Sequence, residues 1–73
     1  MDRERVDSSS VRSVGYDGRS HTLEVEFVNG GVYDYLDVPA TEADRLRASE
    51  SLGRYLNKRI KPRYRVRRVR PPE

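Results

Sequence analysis

The sequence predicts one α+β domain: a three-stranded antiparallel β-meander followed by two short helices packed on one sheet face, with a basic C-terminal tail. Three features predict it. Leu23, Val25 and Phe27 alternate with Glu24 and Glu26, the period-two mark of a half-buried strand. Asn29-Gly30 then supplies a hairpin turn into a second β-rich run, Val32 to Leu36. Beyond Pro39 the apolar residues fall at helical separations instead.

The elements follow in chain order. Residues 1–9 are charged and serine-rich without a period, and read as a flexible lead-in to a domain spanning 10–64. Val11, Val14 and Tyr16 mark the first strand, and their spacing changes phase once, as a β-bulge requires. Asp17-Gly18 signals the next turn, extended by Arg19-Ser20, and the second strand starts at Thr22. The hairpin loop decides the sheet faces. A three-residue loop, Val28-Asn29-Gly30, puts Gly30 in the left-handed bulge position. It sets Val25 opposite Tyr33 and Leu23 opposite Tyr35, with Phe27 opposite Gly31. Five apolar side chains then share one face, and Glu24, Glu26, Val32 and Asp34 the other. A two-residue loop would exchange faces for the tyrosines, so burial selects the three-residue loop.

Thr41-Glu42-Ala43-Asp44 resembles a capping box and predicts a helix from Glu42 to about Ser49, with Ala43 and Leu46 inside. A second helix is predicted over about Ser51 to Arg59, with Leu52, Tyr55, Leu56 and Ile60 on one face, before Pro62. The tail, 65–73, follows a segment that alternates only briefly through Tyr64 and Val66, so a further strand and a disordered end both remain open. The predicted core is Val11, Val14, Tyr16, Leu23, Val25, Phe27, Tyr33, Tyr35, Val38, Leu46, Leu52, Tyr55, Leu56 and Ile60.

Composition restricts function. The absence of cysteine excludes disulfide scaffolds, thiolate metal sites and cysteine nucleophiles. The longest apolar run is two residues, so nothing reads as a membrane span or signal peptide, and the cytoplasm is the expected compartment. Charge is sharply divided. Residues 1–50 carry six arginines and eleven acids, a net of −5, whereas residues 51–73 carry nine cations and only Glu73, a net of +8. Such an asymmetry fits a polyanionic partner, with a solubilising tail as the alternative.

Several ordered pieces of the chain together resemble the KTSC-domain family, named for a segment at the C-terminus of some lysyl-tRNA synthetases. They are Ser8-Ser9 with Val11, then Val14-Gly15-Tyr16-Asp17, Leu23-x-Val25-x-Phe27 and Asn29-Gly30. Tyr33-Asp34-Tyr35, Val38-Pro39 and Ser51-x-Gly53-Arg54-Tyr55-x-Asn57 with Ile60 complete the set, over about residues 6 to 64. The resemblance implies no catalytic residues. It implies RNA as a partner only through the attachment to synthetases, and the arginines beyond Tyr64 gain nothing from it.

The candidate site is therefore the basic segment: Arg54, Lys58, Arg59, Lys61, Arg63, Tyr64, Arg65, Arg67, Arg68 and Arg70. Arginine forks pair with phosphate, and Tyr64 can stack on a base. Tyr33 and Tyr35 could stack bases as well, but a chain this poor in large apolar residues needs them as core. His21 lacks a partner for acid–base work, and Ser8 to Ser10 lack a base and an oxyanion hole. Glu24, Glu26 and Asp34 share a strand face, where solvated acids are more ordinary than a metal site. The expectation is a non-catalytic nucleic-acid-binding accessory domain, most simply for RNA, with no cofactor and no metal. The alternative is a protein-interaction module that uses an open sheet edge or self-association.

Overall fold

The computed structural model describes residues 1–73 and contains five strands, not three. They are β1 (Glu4–Arg5), β2 (Val11–Asp17), β3 (Thr22–Phe27), β4 (Val32–Tyr35) and β5 (Val66–Arg70). All neighbours are antiparallel and the sheet order is β1-β2-β3-β4-β5. Between β4 and β5 lie α1 (Ala40–Ala48) and α2 (Leu52–Tyr55), which runs on into a π-helical turn, Leu56–Ile60.

The central hairpin takes the register that burial selects. Leu23 faces Tyr35 and Val25 faces Tyr33, while Glu24 faces Asp34 and Glu26 faces Val32. Gly30 has φ +91°, its amide donates to the Phe27 carbonyl (3.0 Å), and the Phe27 amide donates to the Gly31 carbonyl (2.8 Å). A side chain at that backbone angle would be strained, so the loop depends on glycine. The phase change in β2 is a bulge between Val11 and Ser13, which returns Val14 to the inner face opposite Val25.

The structure departs from the flexible lead-in at one end and, of the two readings left open at the other, takes the strand. The lead-in is not free: Glu4 and Arg5 pair with Val14 and Ser13, and the backbone at Asp2 crosses so close to Gly15 that a β-carbon there would collide. The basic tail is not a tail either. Residues 66–70 pair with β4, the Leu36 amide donates to the Arg65 carbonyl (2.8 Å), and the Glu73 amide donates to the Asn29 carbonyl (2.8 Å). Five exposed residues give β5 almost no apolar signature, and its bonds come from backbone and arginine.

The capping box does not form. Pro39 is the N-cap of α1 and receives the Glu42 and Ala43 amides on its carbonyl, so Thr41 lies inside the first turn. Ser51 does cap α2, its Oγ accepting from the Arg54 amide (3.3 Å). Leu52, Leu56 and Ile60 are all buried at separations of four. On a plain α-helix each such step drifts by about 40°. The π turn widens the helix there, with the Lys61 amide donating to the Leu56 carbonyl, and keeps Leu56 and Ile60 on the core.

The core joins both helices to one sheet face: Val11, Val14, Leu23, Val25, Tyr35, Val38, Ala43, Leu46, Leu52, Leu56 and Ile60. Tyr16, Phe27, Tyr33 and Tyr55 are only partly buried against it, as are Val6 and Tyr64. The Tyr16 hydroxyl donates to the Val38 carbonyl, which ties β2 to the segment before α1.

Candidate nucleic-acid interface

The register arranges side chains in rows across the sheet, and the rows separate the C-terminal arginines into two groups. On the helix-side face, Val14, Val25, Tyr33 and Arg68 form one row, and Tyr16, Leu23, Tyr35 and Val66 another. On the far face, Gly15, Glu24, Asp34 and Arg67 are in line, beside Ser13, Glu26, Val32 and Arg70. A bulge between Val32 and Tyr33 lets alternate arginines of β5 serve opposite faces.

The far face is a set of ion pairs. Arg67 Nη2 donates to Asp34 Oδ2 (2.8 Å), and Arg3 pairs with Glu24 (3.3 Å). Glu26 accepts from Ser13 Oγ (2.8 Å) and Arg70 Nη2 (2.9 Å), with Arg12 at 3.5 Å. The Ser13 hydroxyl, with Arg3, Arg70 and Arg12 after it, holds the Glu26 carboxyl below the usual range. Burial first, and then the adjoining Asp34 carboxyl, push Glu24 upward against Arg3. Asp34 is buried and its Oδ1, beside Glu24 across the strand pair, has no hydrogen-bond partner. Val32 and Asp34 were expected on a solvated face; both are buried, because arginine stems lie across them.

A third member of the basic segment is also engaged. Arg63 lies 3.8 Å from Glu42 Oε1, and the Tyr55 hydroxyl donates to Oε2 (3.2 Å). Glu42 is buried at the helix-pair interface, so it holds Arg63 locally. Of the nine cations between 54 and 70, Arg63, Arg67 and Arg70 are thus in ion pairs. The structure leaves Arg54, Lys58, Arg59, Lys61, Arg65 and Arg68 exposed and without an acidic partner.

Arg54, Lys58, Arg59 and Lys61 follow α2 and its π turn, Arg65 precedes β5, and Arg68 lies on the helix-side face of β5. Arg54, Lys58 and Arg59 line a shallow cleft of about 340 Å³. Lys61 Nζ stands 5.2 Å above the centre of the Phe27 ring, and Phe27 meets Tyr33 edge-on at 5.7 Å and 69°. Arg68 is the cross-strand partner of Tyr33. Tyr64 is half-buried against the core, and its amide donates to the Ile60 carbonyl (3.1 Å). Tyr35 is sealed in the core and cannot meet a ligand, whereas Tyr33 and Phe27 keep part of their surface open. Phe27 was assigned wholly to the core. Its place at the end of β3, next to the loop, was the sequence signal that it would be less covered.

A second cleft, about 480 Å³, lies between the N-terminal segment and the α1–α2 connection. It brings Ser8 and Ser9 near Ser49, Ser51 and Arg47, with Glu4 and Asp7 among the other walls. His21 is remote from it, exposed in the β2–β3 turn at φ 54°, where its carbonyl accepts from the Val38 amide. No three His, Asp or Glu side chains converge as metal ligands. No helix is long and apolar enough to cross a membrane.

Comparison with known proteins places this architecture. Residues 7–64 match the family model described as the KTSC domain. A protein of Stutzerimonas stutzeri, described as uncharacterized, is 44% identical over 64 residues, covering 88% of this chain and 90% of that protein. A lysine–tRNA ligase of Trichormus variabilis is 32% identical over 65 residues, which cover 89% of this chain and 12% of the ligase. The crystal structure of a KTSC domain protein from Yersinia pestis superposes with a TM-score of 0.90 at 34% identity, covering 93% of this chain and 96% of that one.

Proposed function

We propose, from the premise that this chain belongs to the KTSC domain family, that it is a non-catalytic RNA-binding accessory domain. The observation that carries the reading is the division of the C-terminal cations. Three are spent on Glu42, Asp34 and Glu26, while Arg54, Lys58, Arg59, Lys61, Arg65 and Arg68 face solvent outside any ion pair, although Glu50 shares the cleft of the first three. A folded chain that pairs three of its C-terminal cations with its own acids and leaves the other six exposed fits a polyanion. The similarity to a short stretch of lysine–tRNA ligases supports RNA as the polyanion. Phosphate contacts would supply the affinity and little of the sequence preference.

The test is affinity for single-stranded RNA across salt concentrations. Six phosphate contacts give a log–log slope of about −4. A slope near zero, or no binding at low salt, refutes the reading. The alternative, strand addition at the free edge of β5, predicts little salt dependence. Three arginines within that five-residue strand also oppose its pairing with a second copy of the chain.

A further inference from the structure

The helices cover β2, β3 and β4 but stop short of β5, and the uncovered corner has an unusual composition for a small polar domain. Phe27 and Tyr33 are both only partly buried there. Val66 on β5 is 54% exposed on the same face, one row away from Arg68. Lys61 and Arg68 flank the two rings, one above Phe27 and one opposite Tyr33. The strand carboxylates Glu24, Glu26 and Asp34 project from the other face and are held by arginines, and Glu73 lies at the hairpin tip against Gly30.

We propose that this corner is a base-stacking site for single-stranded nucleic acid: an unpaired base packs on the Phe27–Tyr33 pair while Lys61 and Arg68 hold its flanking phosphates. This rests on the RNA-binding reading and specifies the state of the RNA. The geometry carries it in three steps. In an edge-on pair only one ring gives up a face, and with Lys61 over the Phe27 ring the partly exposed Tyr33 supplies the platform for a base. Cations on both sides of an open ring pair match a base with its two phosphates, because stacking and phosphate contact are the two recurring parts of single-strand binding. A duplex keeps its bases inside, so it meets the cations and gains nothing from the rings.

Single-stranded rather than acidic-peptide binding is favoured by the combination. An acidic peptide would use the cations but has no flat group for the rings.

The experiment uses the full chain and three probes of equal length: oligouridylate, the same strand without bases, and a poly-glutamate peptide. Each is titrated at several salt concentrations. The proposal expects the abasic strand to bind about 5- to 150-fold more weakly than oligouridylate at unchanged salt slope, the range one stacked base contributes. Tyr33→Leu, which keeps apolar bulk against the core, should remove most of that difference and leave the slope intact. Equal affinity for the two strands overturns the stacking site while leaving the phosphate reading standing. Salt-independent or absent binding of both strands overturns the two together. Tighter binding of poly-glutamate than of oligouridylate overturns the choice of ligand. The comparison of strands needs only the native protein, so an unstable variant cannot rescue the proposal.

Discussion

Arg70 on β5 reaches across the whole of β4 to Glu26 on β3, with Nη2 to Oε2 at 2.9 Å. The row is Glu26, Val32, Arg70, so the arginine stem must pass over Val32, which is only 3% exposed. The same guanidinium donates through Nε to the Gly30 carbonyl (2.9 Å). One side chain thereby fastens the last strand to the hairpin tip and covers an apolar residue on an otherwise charged face.

The first prediction concerns that strand. Ending the chain before Arg65 removes Arg67 and Arg70 and leaves the buried Asp34 carboxylate without its cation. We expect a loss on the order of 3 kcal/mol, since an unpaired buried charge is costly. Arg67→Met alone should cost about 1–2 kcal/mol, less than a fully buried pair, because the Arg67 side chain is 65% exposed. Urea denaturation of the three chains checks both values. An unchanged midpoint for the shortened chain would show that β5 contributes nothing.

A second prediction follows from the two acids on the far face, whose titrations move in opposite directions. Glu24 holds its proton more tightly when folded. Its contribution to stability is complete below the ordinary glutamate value of about 4.3 and is lost as pH rises from there to its raised value. Glu24→Gln keeps a donor for Asp34 Oδ1 at all pH values, so at pH 7 it should stabilise by about 1 kcal/mol. That gain shrinks as pH falls toward 4. Glu26 titrates low when folded, and its contribution is present above the ordinary value and lost on acidification. Glu26→Gln should therefore destabilise at pH 7 and approach the parent at low pH. Thermal melts of both variants between pH 3 and 7 decide the signs.

The third prediction tests the helix-pair interface. Tyr55→Phe removes the one hydrogen bond that Glu42 accepts, while Glu42 stays buried. The expected cost is about 1–3 kcal/mol. A double change, Tyr55→Phe with Glu42→Leu, should recover part of it, because replacing both polar partners is cheaper than orphaning one. A double variant weaker than the single would reject this account.

A fourth prediction separates binding from folding. Replacing Lys58, Arg59 and Lys61 by Gln should lower the melting temperature only slightly, since none is in an ion pair and the Lys61–Phe27 contact contributes about 0.5–1 kcal/mol. It should lower the RNA salt slope by about 2, at roughly 0.7 for each lost contact. Replacing Arg67 and Arg70 by Gln should do the reverse, with a lower melting temperature and a slope changed little. Parallel melts and salt titrations on the two variants give the answer.

The central hairpin was legible because three independent signals agreed there: alternation, the Asn29-Gly30 turn, and the single register that gathers the apolar residues. The β2 bulge was legible from one phase change. What escaped was built from backbone and charge. Glu4–Arg5 and Val66–Arg70 bury little apolar surface, so neither strand leaves a periodic trace. Thr41 has the composition of a cap, but Pro39 already fixed the turn two residues earlier. The basic segment from Arg54 to Arg70 read as one surface because sequence shows charge without direction. Only the pairing of β4 with β5 reveals that Arg67 and Arg68 face opposite ways.

The strand order has a consequence for the time course of folding. Short connections link β1 through β4 in succession, so each pairing closes a small loop. The β4–β5 pairing must instead enclose everything between Tyr35 and Val66, including both helices. Larger loops cost more chain entropy to close, and non-local pairings form late. Asp34 therefore stands without its cation until Arg67 arrives, whereas Arg3 and Arg12 already lie beside Glu24 and Glu26. Acid or high salt during refolding should mask that interval of repulsion and speed the early phase, while the docking of β5 remains the final, slower event. Pulsed hydrogen exchange would place the amides paired across β4 and β5 among the last to be protected.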